Sequence, residues 1–315
     1  MALPPEAVAD RRRLTRRVVV WRSVAALAAA FAVLAWVKAL GLSDAFPTDG
    51  PRVAVLKVTG VIVSDDDRRD ALKAVAEDAD VKALVLLINS PGGTFVGSDA
   101  LHQQVRAVAA NKPVVAVIDD VAASGGYMAA VAADRVLASR GSITASVGVI
   151  FQSPRISRLM DQVGVDMDVW RSGDLKALPS PFEESPPAAR EQAQDMVDKL
   201  FLMFLAMVTD RRNLSPSQTA IIRDGRVVTG QTALDLNLID QLGDEAAARQ
   251  WLAAEKAIAE TLPTADITPE PELERGGFLS DALAYVVGRP SGVREIAMSG
   301  LLALWRPLAP GDGLR

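Results

Sequence analysis

Cysteine is absent from all 315 residues, and histidine occurs once, as His102. Without thiols the chain has no disulfide, no cysteine nucleophile and no cysteine-ligated metal. A Ser-His-Asp triad is open only if His102 itself serves. His102 lies in a helix-like run, Ser98–Ala110, and reads there as an ordinary helix-surface or core histidine. Basic charge is not in excess either. The net charge of −5 offers nothing to a nucleic-acid backbone, so no nucleic-acid partner is expected. No internal repeat is visible, and nothing calls for a metal or a cofactor. Apolar sequence is plentiful: half of the residues are hydrophobic and the mean hydropathy is +0.19. That is enough for a sizeable core, a membrane segment, or both, in one large or two ordinary domains.

Residues 1–17 carry Arg11, Arg12, Arg13, Arg16 and Arg17 directly before a mostly apolar span, residues 18–42. Within it Ser23–Val37 is uninterrupted, and Arg22 and Lys38 can snorkel to the interfaces. The span then reaches the ~20 residues needed to cross a bilayer. Arginines before it and only Lys38 after it place residues 1–17 in the cytoplasm and the bulk of the chain outside. The rival is a cleaved signal peptide ending at Val37-Lys38-Ala39. The expectation is a retained transmembrane anchor over 18–42 and a linker over 43–51.

From Arg52 onward, strands alternate with helices. Val53–Val58, Ala83–Ile88, Val114–Ile118 and the short Val136–Ala138 read as strands; Asp66–Asp78 and Ser98–Ala110 read as helices. Near-continuous apolar strands argue a largely parallel sheet covered on both faces, with functional groups at the strands' carboxyl ends. Asn89–Gly93 (NSPGG) reads as a turn at one such end, its glycines allowing backbone amides to approach a ligand. Ser142–Gly148 (SITASVG), which contains Ser146, reads as a second. Val165–Trp170 is strand-like, and the loop Arg171–Phe182 after it carries Lys176. Pro186–Arg211 is a long helix whose stretch Leu200–Val208 is apolar all round, which suits core or a subunit interface. Ser215–Ile222 and Gly230–Leu236 are short helices, and Asp244 caps one ending near Ala254. A domain over 52–262 results, with 263–315 a linker and a tail of unknown role.

The stretch that organises the rest is Ala122–Ala130 (AASGGYMAA). Pro113–Asp120 reads as a buried strand before it and Tyr127–Ala133 as an Ala-rich helix after it, so Ser124 sits where strand turns sharply into helix. Its hydroxyl points out of the turn beside the Gly125 amide, one of the unpaired donors at the helix start, and that suits a nucleophile. A plain N-cap fits the same position, although two glycines after a cap cost helix stability without helping it. With no cysteine and one histidine otherwise placed, a lysine is the remaining candidate base.

The order NSPGG, ASGGYMAA, SITASVGVI, SGDLKALPSPF and DGRVVTGQTALDLNLIDQLG resembles the signal peptide peptidase A family of serine peptidases. The match covers about Val53–Trp251, and the anchor with a single domain looks like the half-length bacterial members. The resemblance implies an α/β fold of the ClpP/crotonase type, a spiral of strand-strand-helix units. It also implies Ser124 as nucleophile, Lys176 as general base, Ser146 hydrogen-bonded to that lysine, and Gly93 and Gly125 as oxyanion amides. One position departs: the glycine expected just before Ser146 is Ala145. The resemblance further implies a homo-oligomer, an octameric ring in which neighbouring subunits share each dyad. The enzyme would sit in the bacterial cytoplasmic membrane, its catalytic domain on the extracytoplasmic side, cleaving signal peptide remnants and other extended apolar segments. Two other classes stay open beside it: an acyl-CoA hydratase or isomerase of the crotonase type, and a catalytically silent interaction protein of the membrane surface.

Overall fold

Alternation along three strands decides where the core sits. In β1 (Arg52–Ile62), Ala54, Leu56 and Val58 turn to one face of the sheet and Val53 and Val55 to the other. The helix α1 (Asp66–Glu77) follows, capped by the Asp65 carboxylate, which accepts the Arg68 amide at 2.9 Å. The strand β2 (Val81–Thr94) repeats the pattern, with Leu84, Leu86 and Ile88 on the first face and Ala83 and Val85 on the second. After α2 (Phe95–Ala109), β3 (Val114–Ala123) does the same with Val114, Ala116 and Ile118 against Val115 and Val117. All of these side chains are buried, so both faces of the sheet are covered.

The short helix α3 (Gly125–Ala130) then leads to β4 (Arg135–Ala138) and β5 (Ile143–Ala145). Next come α4 (Ser157–Val163), the long α5 (Pro187–Arg212) and α6 (Pro216–Ile222). The chain continues through β6 (Val227–Thr229), α7 (Gly230–Asp235), β7 (Gln241–Leu242), α8 (Glu245–Lys256) and β8 (Thr264–Asp266). A last strand is β9 (Leu302–Leu304). The first face packs against α1, α2, α3 and the residues Phe204, Leu205 and Val208 of α5. The second packs against α8 through Ala248 and Leu252, four apart on one helix stripe.

This computed structural model describes Trp21, residues 50–269 and the backbone of 302–304. The expected anchor over 18–42 lies outside the described residues apart from Trp21. Among those residues no helix is long and apolar enough to cross a membrane. Pro51–Arg315 is one compact unit and holds every element above.

The result is a mixed α/β sheet. Its main path runs β6-β5-β3-β2-β1-β8, with β4 joining β3 to β7. The pairs are parallel except β5 with β6 and β2 with β9. On one edge β3 pairs first with β4, over Val115–Ile118, and then with β5, over Val121–Ala123. That fork carries the end of β3 out beyond β4 and delivers Ser124 to the carboxyl edge of the sheet.

Five expectations change. Ser142–Gly148 is not all turn, because Ile143–Ala145 is β5, held between β3 and β6. Asn89–Gly93 is not a turn: it prolongs β2, with Val61 and Ile62 of β1 opposite Gly92 and Gly93 after a register shift. The helix therefore starts at Phe95, with the Thr94 hydroxyl accepting the Gly97 amide at 3.1 Å. Val165–Trp170 is no strand, because no neighbour pairs with it and all six residues are exposed; a helix, α4, comes before it instead. Residues 264–266, read as linker, form β8 on the edge of β1.

Candidate active site

Ser124 is the hinge between β3 and α3. Its amide donates to the Ala145 carbonyl at 2.8 Å, and its own carbonyl accepts the Met128 amide at 2.9 Å, the first bond of the helix. Between those two bonds the backbone takes φ 52, ψ −116, a left-handed conformation that costs a side-chain-bearing residue about 1–3 kcal/mol. The hydroxyl makes no capping bond, so the N-cap role does not apply. It is 1% exposed and has no hydrogen-bond partner. Ser124 thus combines a strained backbone with a buried hydroxyl that neither caps the helix nor bonds to any described group.

Gly125 follows Ser124 in the chain, and Gly93 lies against Gly125. A Cβ on Gly93 would fall 1.8 Å from the Ile62 carbonyl oxygen, so β1 and β2 approach here only because that side chain is missing. A Cβ on Gly125 would fall 2.1 Å from Ser98 Oγ and 3.1 Å from the Gly93 amide nitrogen. The amides of residues 93 and 125, the two assigned to an oxyanion, are therefore neighbours. Ser90 steadies the approach: its hydroxyl donates to the Gly60 carbonyl at 2.6 Å and accepts the Gly92 amide at 3.1 Å.

Ser146 is brought to the same place. It follows Ala145, whose carbonyl receives the Ser124 amide, and its own amide donates to the Arg226 carbonyl at 2.9 Å. Ala145 and Ser146 both have positive φ, 69 and 53. The position where the resemblance expects glycine is thus one where glycine would be at ease, and Ala145 adopts the conformation under strain.

Comparison with known proteins identifies the family. The model of peptidase family S49 matches residues 106–259, a span that contains Ser124, Ser146 and Lys176. A putative protease of Synechocystis is 37% identical over 204 residues, covering 64% of this chain and 73% of its own. The chain belongs to peptidase family S49, that of signal peptide peptidase A. A putative signal peptide peptidase of Enterococcus faecium is 26% identical over 242 residues, 76% of this chain and 69% of its own. Among solved structures, a membrane-bound stomatin-specific protease has a TM-score of 0.44 at 15% identity, over 70% of this chain and 99% of that one. The protein is a serine peptidase.

Within this S49 peptidase no hydrogen bond joins Lys176 to the Ser124 hydroxyl. The lysine lies in an exposed loop, its amide bonded to the Gly173 carbonyl at 2.9 Å. Ala177 beside it has φ 65, and the loop is closed by a two-bonded Arg171–Glu183 pair.

His102 is core, as one of its two readings had it. It is 4% exposed, and its Nδ1 sits 2.8 Å from the Met128 carbonyl, which can only accept; the ring N–H therefore donates. Burial pushes its pKa below the ordinary value, so the ring is neutral and ties α2 to α3. Other bonds fix α3 from outside: the fully buried Tyr127 hydroxyl donates to the Leu238 carbonyl at 2.7 Å, and Arg211 donates to the Val131 and Ala133 carbonyls. Burial raises the Tyr127 pKa well above the ordinary phenol, so it remains a donor.

Sequence reasoning missed Ser90 and Ser98 as members of this site. Both are fully buried, small and polar, and they flank the Gly-Gly pair on either side. Serines bracketing two glycines were the available signal.

Proposed function

We propose that this S49 peptidase is a membrane-anchored Ser/Lys endopeptidase of the ClpP/crotonase fold that cleaves remnant signal peptides and other extended apolar segments. The observation that carries it is the buried, unpartnered Ser124 hydroxyl on a strained strand-to-helix hinge beside Gly93 and Gly125. Lys176 takes the Ser124 proton as Oγ attacks the scissile carbonyl. The Gly93 and Gly125 amides hold the oxyanion, and Ser146 orients the lysine. The same proton then goes to the leaving amine, an acyl-enzyme remains, and water deprotonated by Lys176 releases the carboxylate and restores Ser124. No cofactor enters.

An extended substrate is supported by the edge of β2. Gly92–Thr94 accepts β9 there in antiparallel register, Gly93 opposite Ala303, so this edge is built for strand addition. The name of the Enterococcus relative supports the signal peptide class.

The exposed loop of Lys176 and the unpartnered Ser124 hydroxyl support a homo-oligomer, an octameric ring in which serine and lysine come from neighbouring subunits. The arm that carries it exposes Leu159, Val163, Val165, Met167, Val169 and Trp170, the last 88% exposed. So many exposed apolar side chains on one segment support an interaction site. Leu202 and Met203 of α5 are about half exposed as well. The basic cluster before the apolar span 18–42 supports an anchor with the catalytic domain outside the bacterial cytoplasmic membrane.

Coexpression tests the shared dyad. Ser124→Ala and Lys176→Ala are each inactive alone, and in mixed oligomers about a quarter of the sites pair an intact Ser124 with an intact Lys176. Tandem-tag purification and a fluorogenic apolar peptide should recover about that fraction of wild-type turnover. No recovery in an oligomer containing both variants would put the dyad within one chain.

A further inference from the structure

Ser98 lies in the first turns of α2, where a serine hydroxyl ordinarily donates back to the carbonyl four residues earlier. Here it does not. The side chain is 0% exposed and Oγ has no hydrogen-bond partner at all. A buried unpaired hydroxyl is destabilising, and an alanine of nearly the same shape would avoid that cost. What sets Ser98 apart is where its oxygen lies. It occupies the place of the absent Gly125 side chain, 2.1 Å from where that Cβ would be, and the Gly93 amide nitrogen is 3.1 Å from the same point. The Ser98 hydroxyl thus packs on Gly125, the residue after Ser124, and both hydroxyls are buried and unpartnered. A donor left without an acceptor in the resting protein is matched to an acceptor that exists only during the reaction.

We infer that the Ser98 hydroxyl is a third oxyanion donor, acting with the Gly93 and Gly125 amides. This rests on Ser124 being the nucleophile. As Ser124 Oγ bonds to the scissile carbon, the carbonyl oxygen gains negative charge and moves between the two amides; Ser98 Oγ–H rotates to donate to it and turns away when the carbonyl re-forms. No bond to Ser98 forms or breaks. Because the donation is made to the tetrahedral species, it acts on kcat and leaves ground-state binding alone.

The test uses the full-length chain in detergent, comparing wild type with Ser98→Ala and Ser98→Cys. Turnover of a fluorogenic peptide gives kcat and KM. Inhibition is measured with a peptide aldehyde, which forms an oxyanion on Ser124, and with the matching peptide alcohol, which cannot. Ser98→Ala should lower kcat about 10²-fold with KM nearly unchanged. It should weaken the aldehyde by a similar factor and the alcohol not at all, with Tm equal to or above wild type because an unpaired polar group has gone. Ser98→Cys, a weak donor, should fall between. Wild-type kcat in Ser98→Ala, or equal losses for aldehyde and alcohol, would overturn the assignment. So would failure of both variants to fold, which would make Ser98 a structural residue. If wild type itself is not inhibited by the aldehyde, it is the nucleophilic role of Ser124 that fails, and Ser98 loses its role with it.

Discussion

Gly125→Ala is the substitution for which the structure gives the most definite cost. The added Cβ meets Ser98 Oγ at 2.1 Å, Ser98 Cβ at 2.9 Å and the Gly93 nitrogen at 3.1 Å. Rotating the Ser98 hydroxyl away removes the first contact only. The second is to an atom fixed on α2 and the third to the backbone of β2, so α3 has to move by a few tenths of an ångström. Overpacking of this kind costs about 1–3 kcal/mol. For a folded unit of this size each kcal/mol is worth roughly 2–4 °C, so Tm should fall by about 2–12 °C. The same movement takes the Gly125 amide off the oxyanion, for which about 10²–10³ in kcat is expected. Ser98→Gly removes two of the three contacts. In that background Gly125→Ala should cost about 1–2 kcal/mol less, a coupling read from thermal unfolding of the four members of the cycle. Additive costs, or a Gly125→Ala variant with wild-type Tm and kcat, would refute the close-packing argument.

Lys176→Arg should be as inactive as Lys176→Ala in peptide hydrolysis, because a guanidinium does not give up its proton to become a base. The His102 ring has its pKa lowered by burial, so the unfolded chain binds a proton that the folded chain refuses. Its stabilising contribution is complete above the ordinary value near 6.5 and is lost as pH falls below it. His102→Asn, which keeps a donor toward the Met128 carbonyl, should flatten the decline of Tm between about pH 6.5 and 5. Truncation after Leu301 removes β9 from the Gly92–Thr94 edge, so KM for an extended peptide should fall while kcat holds; an unchanged KM would mean that substrate does not pair with that edge.

Much of this was readable in the residues, and what was not has physical causes. The three apolar strands and the Ser124 hinge follow from patterns local to a few residues, β-branched runs and a Ser-Gly-Gly step before alanines. Asn89–Gly93 misled because Pro91 and two glycines signal a turn locally. Pairing with β1 on one side and β9 on the other, both remote in sequence, keeps them extended. Val165–Trp170 has strand composition but no strand to pair with. At Ala145 the positive φ is imposed from outside by the Ser124 amide and β6, which no local rule anticipates. Ser98 looked like a helix start, and only its distance to Gly125 gives it a chemical meaning. Lys176 was found by motif alone; in a single chain its exposed loop gives no reason for a catalytic role.

The most direct measurement is covalent labelling of the full-length protein with a fluorophosphonate probe, followed by peptide mapping. The account predicts one labelled residue, Ser124, with labelling abolished in Ser124→Ala and slowed in Gly125→Ala. Labelling at another serine, or undiminished labelling of Ser124→Ala, would contradict it.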